Sequence, residues 1–285
     1  MTCKRRPVEK RYVYYVESSP ADQLQPILHK QEYAKPGDEL PFKVPCIFDV
    51  NTGKEVIAST QLFDKQFSLD GFTWTADNKE VIFEYNERGH KVYRVLAMSA
   101  QTGKVRTIIE ETATTFVNYP RHYRYDFADT SKMIWMSERD NWNHLYLYNV
   151  AKGKVINQIT KGTWCVREVI KVDEKANTIY FSASGINPNE DPYQIHYYRI
   201  GMDGKNMICL TPAEGNHQAV FSYDMKYVVD KYSKVDTPPV TELRSGIDGK
   251  LISTIAKADI SKLKESGWVA PEIFKAKGRD GITDI

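Results

Sequence analysis

The sequence predicts an all-β fold, a partial β-propeller with about four complete four-stranded antiparallel blades and one incomplete blade. Three observations lead to this prediction: Gly-Lys pairs recur at regular intervals, strand-like runs precede each pair, and four such runs fit between successive pairs. The lysines of these pairs, at positions 54, 104, 154, 205 and 250, are separated by 50, 50, 51 and 45 residues. A period of roughly 40 to 50 residues is typical of propeller blades and of paired helices, so the intervening residues decide between them.

The runs that precede the Gly-Lys pairs have the composition of strands. β-Branched and aromatic residues alternate with polar ones in PCIFDVNTGK, YRVLAMSAQTGK, HLYLYNVAKGK, HYYRIGMDGK and VTELRSGIDGK. Such residues favour β-strands, and glycine allows the positive φ that a tight hairpin requires. The pattern therefore favours β-hairpins and disfavours helical repeats.

The first repeat unit is predicted to lack one of its four strands. Its second, third and fourth strands are predicted at residues 11–16, 42–50 and 55–59, with no first strand ahead of them. The segment PADQLQPILHKQEYAKPGDEL is predicted to be a long loop between the second and third strands. Because such an array does not close the usual ring, we expect the chain to be a piece of a larger protein.

Four complete units follow, each with four strand-like runs. Their predicted strands are 72–76, 80–85, 91–99 and 105–110; 123–127, 133–137, 144–150 and 155–160; 167–172, 178–183, 194–200 and 206–210; and 218–222, 227–231, 240–244 and 251–255. The predicted propeller domain covers residues 1–258, with blades near 1–60, 66–112, 122–161, 166–211 and 217–256.

Residues 259–285 are predicted to be a linker that follows the propeller. Asp259 or Ser261 is placed to cap a short helix, and Pro271 lies beyond its expected end. The pair Asp280-Gly281 predicts a hairpin turn near the end of the chain.

Composition argues against several classes of function. The 39 basic and 37 acidic residues are mixed along the chain and leave a net charge of +2, so nucleic-acid binding is not expected. No apolar run approaches the roughly 20 residues that span a bilayer, and no signal segment follows Met1. The four cysteines form no CxxC pair and the six histidines no HExxH motif, so we expect free thiols, no metal and no cofactor.

Function is expected in the loops of one face. In an antiparallel blade the Gly-Lys turns share one side, and the connections from strand 2 to 3 and from strand 4 to the next blade share the other. The long connections SERDNWN, SGINPNEDPY and ETATTFVNYPRHYR belong to that other side, where binding residues concentrate, although such loops also simply seal blade ends. The loop carboxylates Glu138 with Asp140, and Glu190 with Asp191, leave open a glycosidase, which would need an acidic pair across a cleft.

Five further segments are distinctive in combination: YAKPGD, SERDNWNHLYLYN, ITKGTW, SKVDTPPV and FKAKGRDGITDI. In this order they resemble the N-terminal propeller of bacterial dipeptidyl peptidase IV-like enzymes, members of the prolyl oligopeptidase family of serine peptidases. The resemblance covers nearly the whole chain. It implies an eight-bladed propeller over an α/β-hydrolase domain, with a cavity in which dipeptides are cleaved from the amino terminus of peptides, often after proline.

The resemblance also implies that bond cleavage belongs to residues outside this chain. The family's Ser, Asp and His triad lies in the hydrolase domain, and these 285 residues contain no Gly-x-Ser-x-Gly motif. The amine-binding glutamate pair of the family has no match here either. We therefore expect no catalytic residue in the chain, and we expect residues 259–285 to lead toward the hydrolase domain.

The family places an arginine of the propeller near the substrate, in a connection that corresponds here to FVNYPRHYR. The candidate substrate-binding residues are Phe116, Arg121 and Arg124, together with Arg139 of the SERDNWN loop. The parent protein is expected to act on peptides through the hydrolase domain and to be periplasmic or secreted, and the resemblance allows a homodimer. The alternative is a stand-alone propeller that binds a glycan or a protein partner.

Overall fold

The computed structural model describes residues 1–272 and 274–285, and nearly all regular structure in them is β-strand. Ile273, in the predicted linker, lies outside the described residues. The strands form one three-stranded sheet, one two-stranded hairpin and four four-stranded sheets. The prediction of an all-β partial propeller, with about four complete blades and one incomplete blade, is confirmed.

The first part of the chain contains a sheet that an inserted hairpin interrupts. Its strands are β1 (Thr2–Arg6), β2 (Tyr12–Glu17), β3 (Ile27–Glu32), β4 (Phe42–Phe48) and β5 (Glu55–Ile57). Strand β1 pairs with β4, and β4 with β5, whereas β2 and β3 pair only with each other.

The strand prediction for this first blade is wrong in two places. Residues 11–16 are not its second strand, because β1 pairs with β4 in that position, from Thr2 opposite Cys46 to Arg6 opposite Phe42. The predicted loop 20–40 contains β3, which pairs with β2. The charged run TCKRR, and not the more strand-like YVYYVE, pairs with β4. The hydrogen bonds of a ladder join main-chain groups, so tertiary context can override the strand preference of the side chains.

The remaining strands form the four-stranded sheets, in each of which sequential strands are neighbours. They are β6 (Gln66–Trp74), β7 (Glu80–Glu87), β8 (Val92–Ser99), β9 (Val105–Thr112), β10 (Arg124–Asp126), β11 (Lys132–Ser137), β12 (His144–Asn149), β13 (Lys154–Gln158), β14 (Cys165–Asp173), β15 (Thr178–Ser184), β16 (Ile195–Gly201), β17 (Ile208–Cys209), β18 (Asn216–Phe221), β19 (Tyr227–Ser233), β20 (Val240–Ser245) and β21 (Leu251–Lys257). Every predicted strand of these units overlaps one of them. Strand β6 begins at Gln66 instead of residue 72, because it bends at Gly71 and shifts register against β7 without ending.

The chain divides into two compact units, each with its own apolar core. The first unit comprises Met1–Met133 with Tyr148–Lys154, and the second comprises Ile134–Leu147 with Val155–Ile285. In the first, buried Phe63 meets Phe83 edge to face at 5.5 Å, and Phe72 stacks on Phe83 at 5.4 Å. In the second, Trp164 stacks on Phe181 at 6.2 Å. Each core also joins side chains of successive sheets, such as Ile47 with Phe83 in the first unit and Tyr180 with Met225 in the second.

The segment after β21 contains little regular structure. A short helix, α1 (Ser261–Glu265), begins after Asp259, whose Oδ1 accepts a hydrogen bond from the backbone N–H of Ser261 at 2.9 Å. Near the chain end, Lys277 and Asp284 pair as an antiparallel bridge around a turn in which Gly281 has φ of +70°. No helix in the described part of the chain is long and apolar enough to cross a membrane.

Four of the five Gly-Lys turns, all except that of Gly53, bring the glycine backbone against the preceding sheet. A Cβ on Gly103, where φ is +72°, would overlap the carbonyl oxygen of Ile57 at the end of β5. The N–H of Ser59 donates to the Gly103 carbonyl at 2.9 Å, and this hydrogen bond holds the two backbones together. The same approach recurs in later turns, with Cβ-to-carbonyl distances of 3.0 Å for Gly153 to Thr107, 3.0 Å for Gly204 to Ile159 and 2.6 Å for Gly249 to Cys209.

Replacing Gly103 with alanine is expected to destabilise the chain much more than replacing Gly53. Both glycines have a positive φ, +72° and +67°, so both substitutions carry the backbone penalty of about 1–2 kcal/mol. Only at Gly103 does the new methyl group also overlap a neighbouring backbone, because no atom lies within 4 Å of a Cβ on Gly53. We expect a total loss above about 3 kcal/mol for Gly103→Ala, measured by urea unfolding. Equal losses for the two variants would contradict the inferred close contact.

Candidate functional site

The connection between β9 and β10 is held in a defined conformation by its backbone. The N–H of Ala113 donates to the carbonyl of Lys91 at 2.9 Å, and the N–H of Val117 donates to that of His90 at 2.7 Å. A 3-10 helix at Tyr119–Arg121 follows, with Pro120 in its first turn. Three of the four candidate residues belong to this connection and the strand that it enters, so the loop presents them on an ordered backbone.

An aromatic cluster covers one side of this connection. His90 stacks on Tyr119 with ring centroids 4.4 Å apart, and Phe67 meets His90 edge to face at 4.6 Å. Phe116 adds a third neighbour, 6.3 Å from His90 and 6.0 Å from Tyr119. Phe116 and Phe67 remain 49% and 43% exposed. The cluster therefore offers rigid apolar surface to solvent at the loop side of the first unit.

A buried polar network underlies the connection. One carboxylate oxygen of Glu84, Oε2, accepts hydrogen bonds from the Tyr93 hydroxyl at 2.6 Å and from His122 Nε2 at 2.7 Å. The other oxygen, Oε1, accepts from Arg124 Nη1 at 2.8 Å. Gly71, with φ of +63°, leaves space for this pair, since a Cβ there would lie 2.9 Å from Glu84 Oε1. The bend in β6 thus makes room for the ion pair.

Arg124 is occupied within this network. Its Nη2 donates to Asp126 Oδ2 at 2.7 Å and to Thr73 Oγ1 at 3.1 Å, besides the bond from Nη1 to Glu84. Its side chain is only 7% exposed. Through its bonds to Glu84 and Thr73, Arg124 anchors the start of β10 to the preceding sheet.

Within the network, Glu84 and His122 each shift the pKa of the other in the direction that favours its charged form. Burial pulls the pKa of Glu84 upward, but the hydrogen bonds from His122 and Tyr93 and the charge of Arg124 outweigh burial and hold that pKa below its usual value. Burial pulls the pKa of His122 downward, but the hydrogen bond and charge of Glu84 and the Tyr119 carbonyl raise it overall. The stability that Glu84 contributes is lost as pH falls through its folded pKa, and that of His122 is lost as pH rises through its folded pKa. The network therefore stabilises the fold most between those two values.

The other candidate residues are nearer the surface. Arg121 is exposed at the end of the 3-10 helix, in the same connection as Phe116. Arg139 belongs to the second unit, in the loop between β11 and β12. Its guanidinium lies 4.4 Å from the ring centroid of Tyr146, and its Nε donates to Ser137 Oγ at 2.9 Å. Phe116, Arg121 and Arg124 thus belong to one connection of the first unit and the strand that it enters, whereas Arg139 belongs to the second unit.

Two of the loop carboxylates considered for a glycosidase, Asp140 and Glu190, accept hydrogen bonds from neighbouring side chains. Asp140 Oδ2 accepts from the Tyr146 hydroxyl at 3.2 Å and from Gln158 Nε2 at 2.7 Å. Glu190 accepts from Asn187 Nδ2 at 2.7 Å. In residues 1–272 and 274–285 no group of three or more His, Cys, Asp or Glu side chains is arranged to hold a metal ion.

Sequence reasoning missed the residues that position the connection. Glu84 lies in the middle of the run VIFEYNE of β7, and it is buried like its neighbours. A carboxylate among buried strand positions is a sign of a specific partner, because an unpaired buried charge is very costly. That sign was available in the sequence, whereas the identity of the partners, 9 to 40 residues away, required the fold.

Comparison with known proteins gives consistent matches. A family profile described as the dipeptidyl peptidase IV (DPP IV) N-terminal region matches residues 6–239. Dipeptidyl peptidase 4 of Arthroderma otae is 36% identical over 138 residues, which cover 46% of this chain and 17% of the relative. Dipeptidyl peptidase 4 of Trichophyton rubrum is 33% identical over 156 residues, which cover 52% of this chain and 19% of the relative.

A solved structure matches the fold over most of the chain. The crystal structure of Porphyromonas gingivalis dipeptidyl peptidase 4 superposes with a TM-score of 0.69 at 19% identity, covering 94% of this chain and 37% of that one. The matched region is thus less than a fifth of the two curated relatives and less than two fifths of the solved structure.

Replacing Glu84 with glutamine is expected to lower the free energy of unfolding by about 3 kcal/mol at pH 7, because it removes the carboxylate that pairs with buried Arg124 and with partly buried His122. The control is Glu110→Gln. The carboxylate that it removes lies 2.5 Å from Arg94 Nε, and the Glu110 side chain is 46% exposed. We expect the control to lose less than about 1 kcal/mol, since solvent screens the exposed pair. Urea unfolding compares the two variants, and similar losses would contradict a special role for Glu84.

Proposed function

Because the chain belongs to the family of dipeptidyl peptidase IV N-terminal regions, we propose that it forms the substrate-admitting propeller part of a serine peptidase that releases dipeptides from the amino terminus of peptides, often after proline. The single observation that carries the proposal is the ordered connection between β9 and β10. It presents an exposed aromatic ring, Phe116, and an exposed guanidinium, Arg121, on a backbone tied to the neighbouring β7–β8 loop.

The chemistry of this surface suits an extended peptide. The guanidinium of Arg121 offers several N–H donors to the carbonyl oxygens of a peptide backbone. The aromatic cluster of Phe67, His90, Phe116 and Tyr119 offers apolar surface to side chains or to a proline ring. In this proposal the chain binds and orients the peptide, and cleavage of the bond requires a nucleophile and a base supplied by another part of the protein.

Arg124 and Arg139 have different parts in the proposal. Arg124 is a positioning residue, because Glu84, Asp126 and Thr73 already occupy its guanidinium. Arg139 is proposed to contact substrate with the edge of a guanidinium whose face is stacked on Tyr146.

We propose a periplasmic or secreted location for the parent protein. The support is the family alone. The mixing of 39 basic and 37 acidic residues supports the further proposal that nucleic acid is not a partner.

We also propose that the β2–β3 hairpin joins two copies of the parent protein. The hairpin exposes apolar side chains on both strands, including the register partners Val16 and Leu28, which are 58% and 65% exposed. Tyr14 and Tyr15 are 59% and 55% exposed. A two-stranded hairpin is marginally stable alone in water, so a partner surface would stabilise it.

The purified chain is expected to release no dipeptide from glycyl-prolyl-p-nitroanilide, because the sequence contains no Gly-x-Ser-x-Gly motif from which a nucleophile could act. The measurement is p-nitroaniline absorbance against protein concentration. Release in proportion to the amount of chain would contradict the proposal.

A stop codon directly after codon 285 in the gene would favour the alternative, a stand-alone propeller that binds a glycan or a protein.

In the longer protein, Arg121→Ala is expected to raise KM for dipeptide substrates by at least about tenfold, because a charge-assisted hydrogen bond to substrate contributes about 1.5–3 kcal/mol. The rate constant kcat should change little, since the contact forms on binding. The control is Arg167→Ala, which removes an exposed arginine from β14. Equal KM values for the two variants would remove Arg121 from the substrate site.

Val16→Asp is expected to convert dimers of the longer protein to monomers, because it places a charge in the proposed apolar contact. Sedimentation velocity measures the change. The control is Val220→Asp, at a valine that is 71% exposed in the last sheet. Dissociation by Val220→Asp but not by Val16→Asp would assign the contact to the last sheet and overturn the hairpin proposal.

A further inference from the structure

Two buried histidines lie side by side where the sheet β14–β17 meets the sheet β18–β21. His196 is near the start of β16, and His217 is near the start of β18. Their ring centroids are 4.6 Å apart, with a tilt of 42° between the rings. The N–H of Ile195 donates to Asn216 Oδ1 at 3.1 Å beside them, so the two strands are in direct contact here.

Each of the two rings faces an acceptor at both nitrogens. His196 Nδ1 lies 2.7 Å from the Thr211 carbonyl oxygen, and its Nε2 lies 2.7 Å from Glu190 Oε2. His217 Nδ1 lies 2.7 Å from Asp230 Oδ1, and its Nε2 lies 2.7 Å from the Ala213 carbonyl oxygen. A neutral imidazole carries one N–H and satisfies only one of two acceptors. A neutral ring and an ionised acid together carry one proton. Each histidine–carboxylate pair therefore needs one proton more than that.

The proton of the His217 pair belongs on the ring and not on the acid. Arg244 Nε lies 3.4 Å from the second oxygen of Asp230, and its Nη2 lies 2.5 Å from Glu242 Oε2. The guanidinium favours the ionised form of Asp230. Both His217 and Asp230 have fully buried side chains, so this charge arrangement is shielded from solvent.

Charge balance across the cluster supports two imidazolium ions. With both rings protonated, His196, His217 and Arg244 supply three cations against the carboxylates of Glu190, Asp230 and Glu242. With both rings neutral, one cation would remain with three buried carboxylates, a state that burial strongly disfavours. The other titratable groups that face the rings are Cys209 and Tyr198 beside His196, and Tyr232, whose ring centroid is 5.0 Å from that of His217. Burial raises the pKa of Tyr198, which keeps its hydroxyl neutral.

A third buried histidine provides an internal comparison. His144 Nε2 lies 2.9 Å from the Gly162 carbonyl oxygen, and its Nδ1 lies 3.0 Å from the hydroxyl of Thr160. A hydroxyl donates as well as accepts, so Thr160 satisfies an unprotonated Nδ1. Neutral His144 therefore fulfils all its hydrogen bonds, and no extra proton is required.

We propose that the paired imidazolium ions of His196 and His217 form a pH-sensitive lock between these two sheets, which holds at neutral and acidic pH and opens when the rings lose their protons at alkaline pH. Opening means that β16 and β18 separate locally, because neutral rings leave two acceptors without donors and three buried carboxylates opposite one guanidinium. The lock adds a regulatory property that is independent of the proposed peptidase function.

The direction of the pH dependence follows from His196. Burial and the charge of His217 lower its pKa, but the hydrogen bonds to Cys209, the Thr211 carbonyl and Glu190 outweigh both, so its pKa is raised overall. A histidine with a raised pKa in the folded state contributes stability that is fully present below the unfolded pKa. That stability is lost as pH rises through the folded pKa. The lock therefore opens on alkalinisation and does not open on acidification through the same range.

The direct test is nitrogen-15 NMR of the histidine side chains in the whole chain, titrated from pH 5 to pH 9. We expect the imidazolium pattern of His196 to persist to higher pH than in the unfolded chain, and His217 to show the same pattern at pH 6. Neutral patterns for both His196 and His217 at pH 6 would overturn the proposal. This measurement uses the unaltered protein, so it does not depend on a variant that folds.

The second test is amide hydrogen exchange in β16 and β18. Opening of the lock should increase the local opening equilibrium by up to about tenfold per pH unit for each proton released, beyond the intrinsic pH dependence of exchange. His196→Gln and His217→Gln should each reduce this slope. His144→Gln, the matched control, should lower protection in its own sheet and leave the slope in β16 and β18 unchanged. A slope that is the same in all four proteins would also overturn the proposal.

Discussion

The close approach of four of the five Gly-Lys turns to the preceding strand is the constraint on which the packing of neighbouring sheets depends. At Gly103 the backbone lies against Ile57 with no room for a side chain, and Gly204 and Gly249 repeat that contact in the second unit. Since sheets that pack through side chains alone are held about 10 Å apart, direct backbone contact at one end sets how near successive strands come. The regular spacing of Gly-Lys pairs in the sequence reflects this repeated steric requirement.

Polar clusters supplement the apolar cores in both units. Glu84, His122 and Arg124 fasten a connection in the first unit, whereas His196, His217 and Asp230 lie between two sheets of the second. In each cluster an imidazole is held between oxygen atoms of a carboxylate and of the backbone. Directional bonds of this kind define a single arrangement of the loops, which apolar contacts alone leave less specified. The ordered backbone around Phe116 and Arg121 is one result.

The periodic features of the fold were predictable from the sequence, and the features that depend on long-range pairing were not. Strands such as β8 and β12 carry both alternation and a glycine turn, so local chemistry identifies them. Strand β1 carries neither, and only its partner β4 makes it a strand. Likewise, sequence identified the connection that bears Phe116, Arg121 and Arg124, but not that Glu84, 40 residues before Arg124, occupies that guanidinium. The buried histidines had no short-range motif, since their partners come from separate strands and loops.

The inserted hairpin has a consequence for how the first sheet tolerates change. Arg6 and Phe42 are opposite each other in the ladder, so the chain leaves and re-enters the sheet at adjacent points. Everything from residue 7 to residue 41 therefore lies outside the hydrogen-bonded framework of that sheet, and its length is uncoupled from the register of β1 and β4. Such a position accepts exchange of one excursion for another, as a short turn or a longer arm, while the underlying blade keeps its geometry.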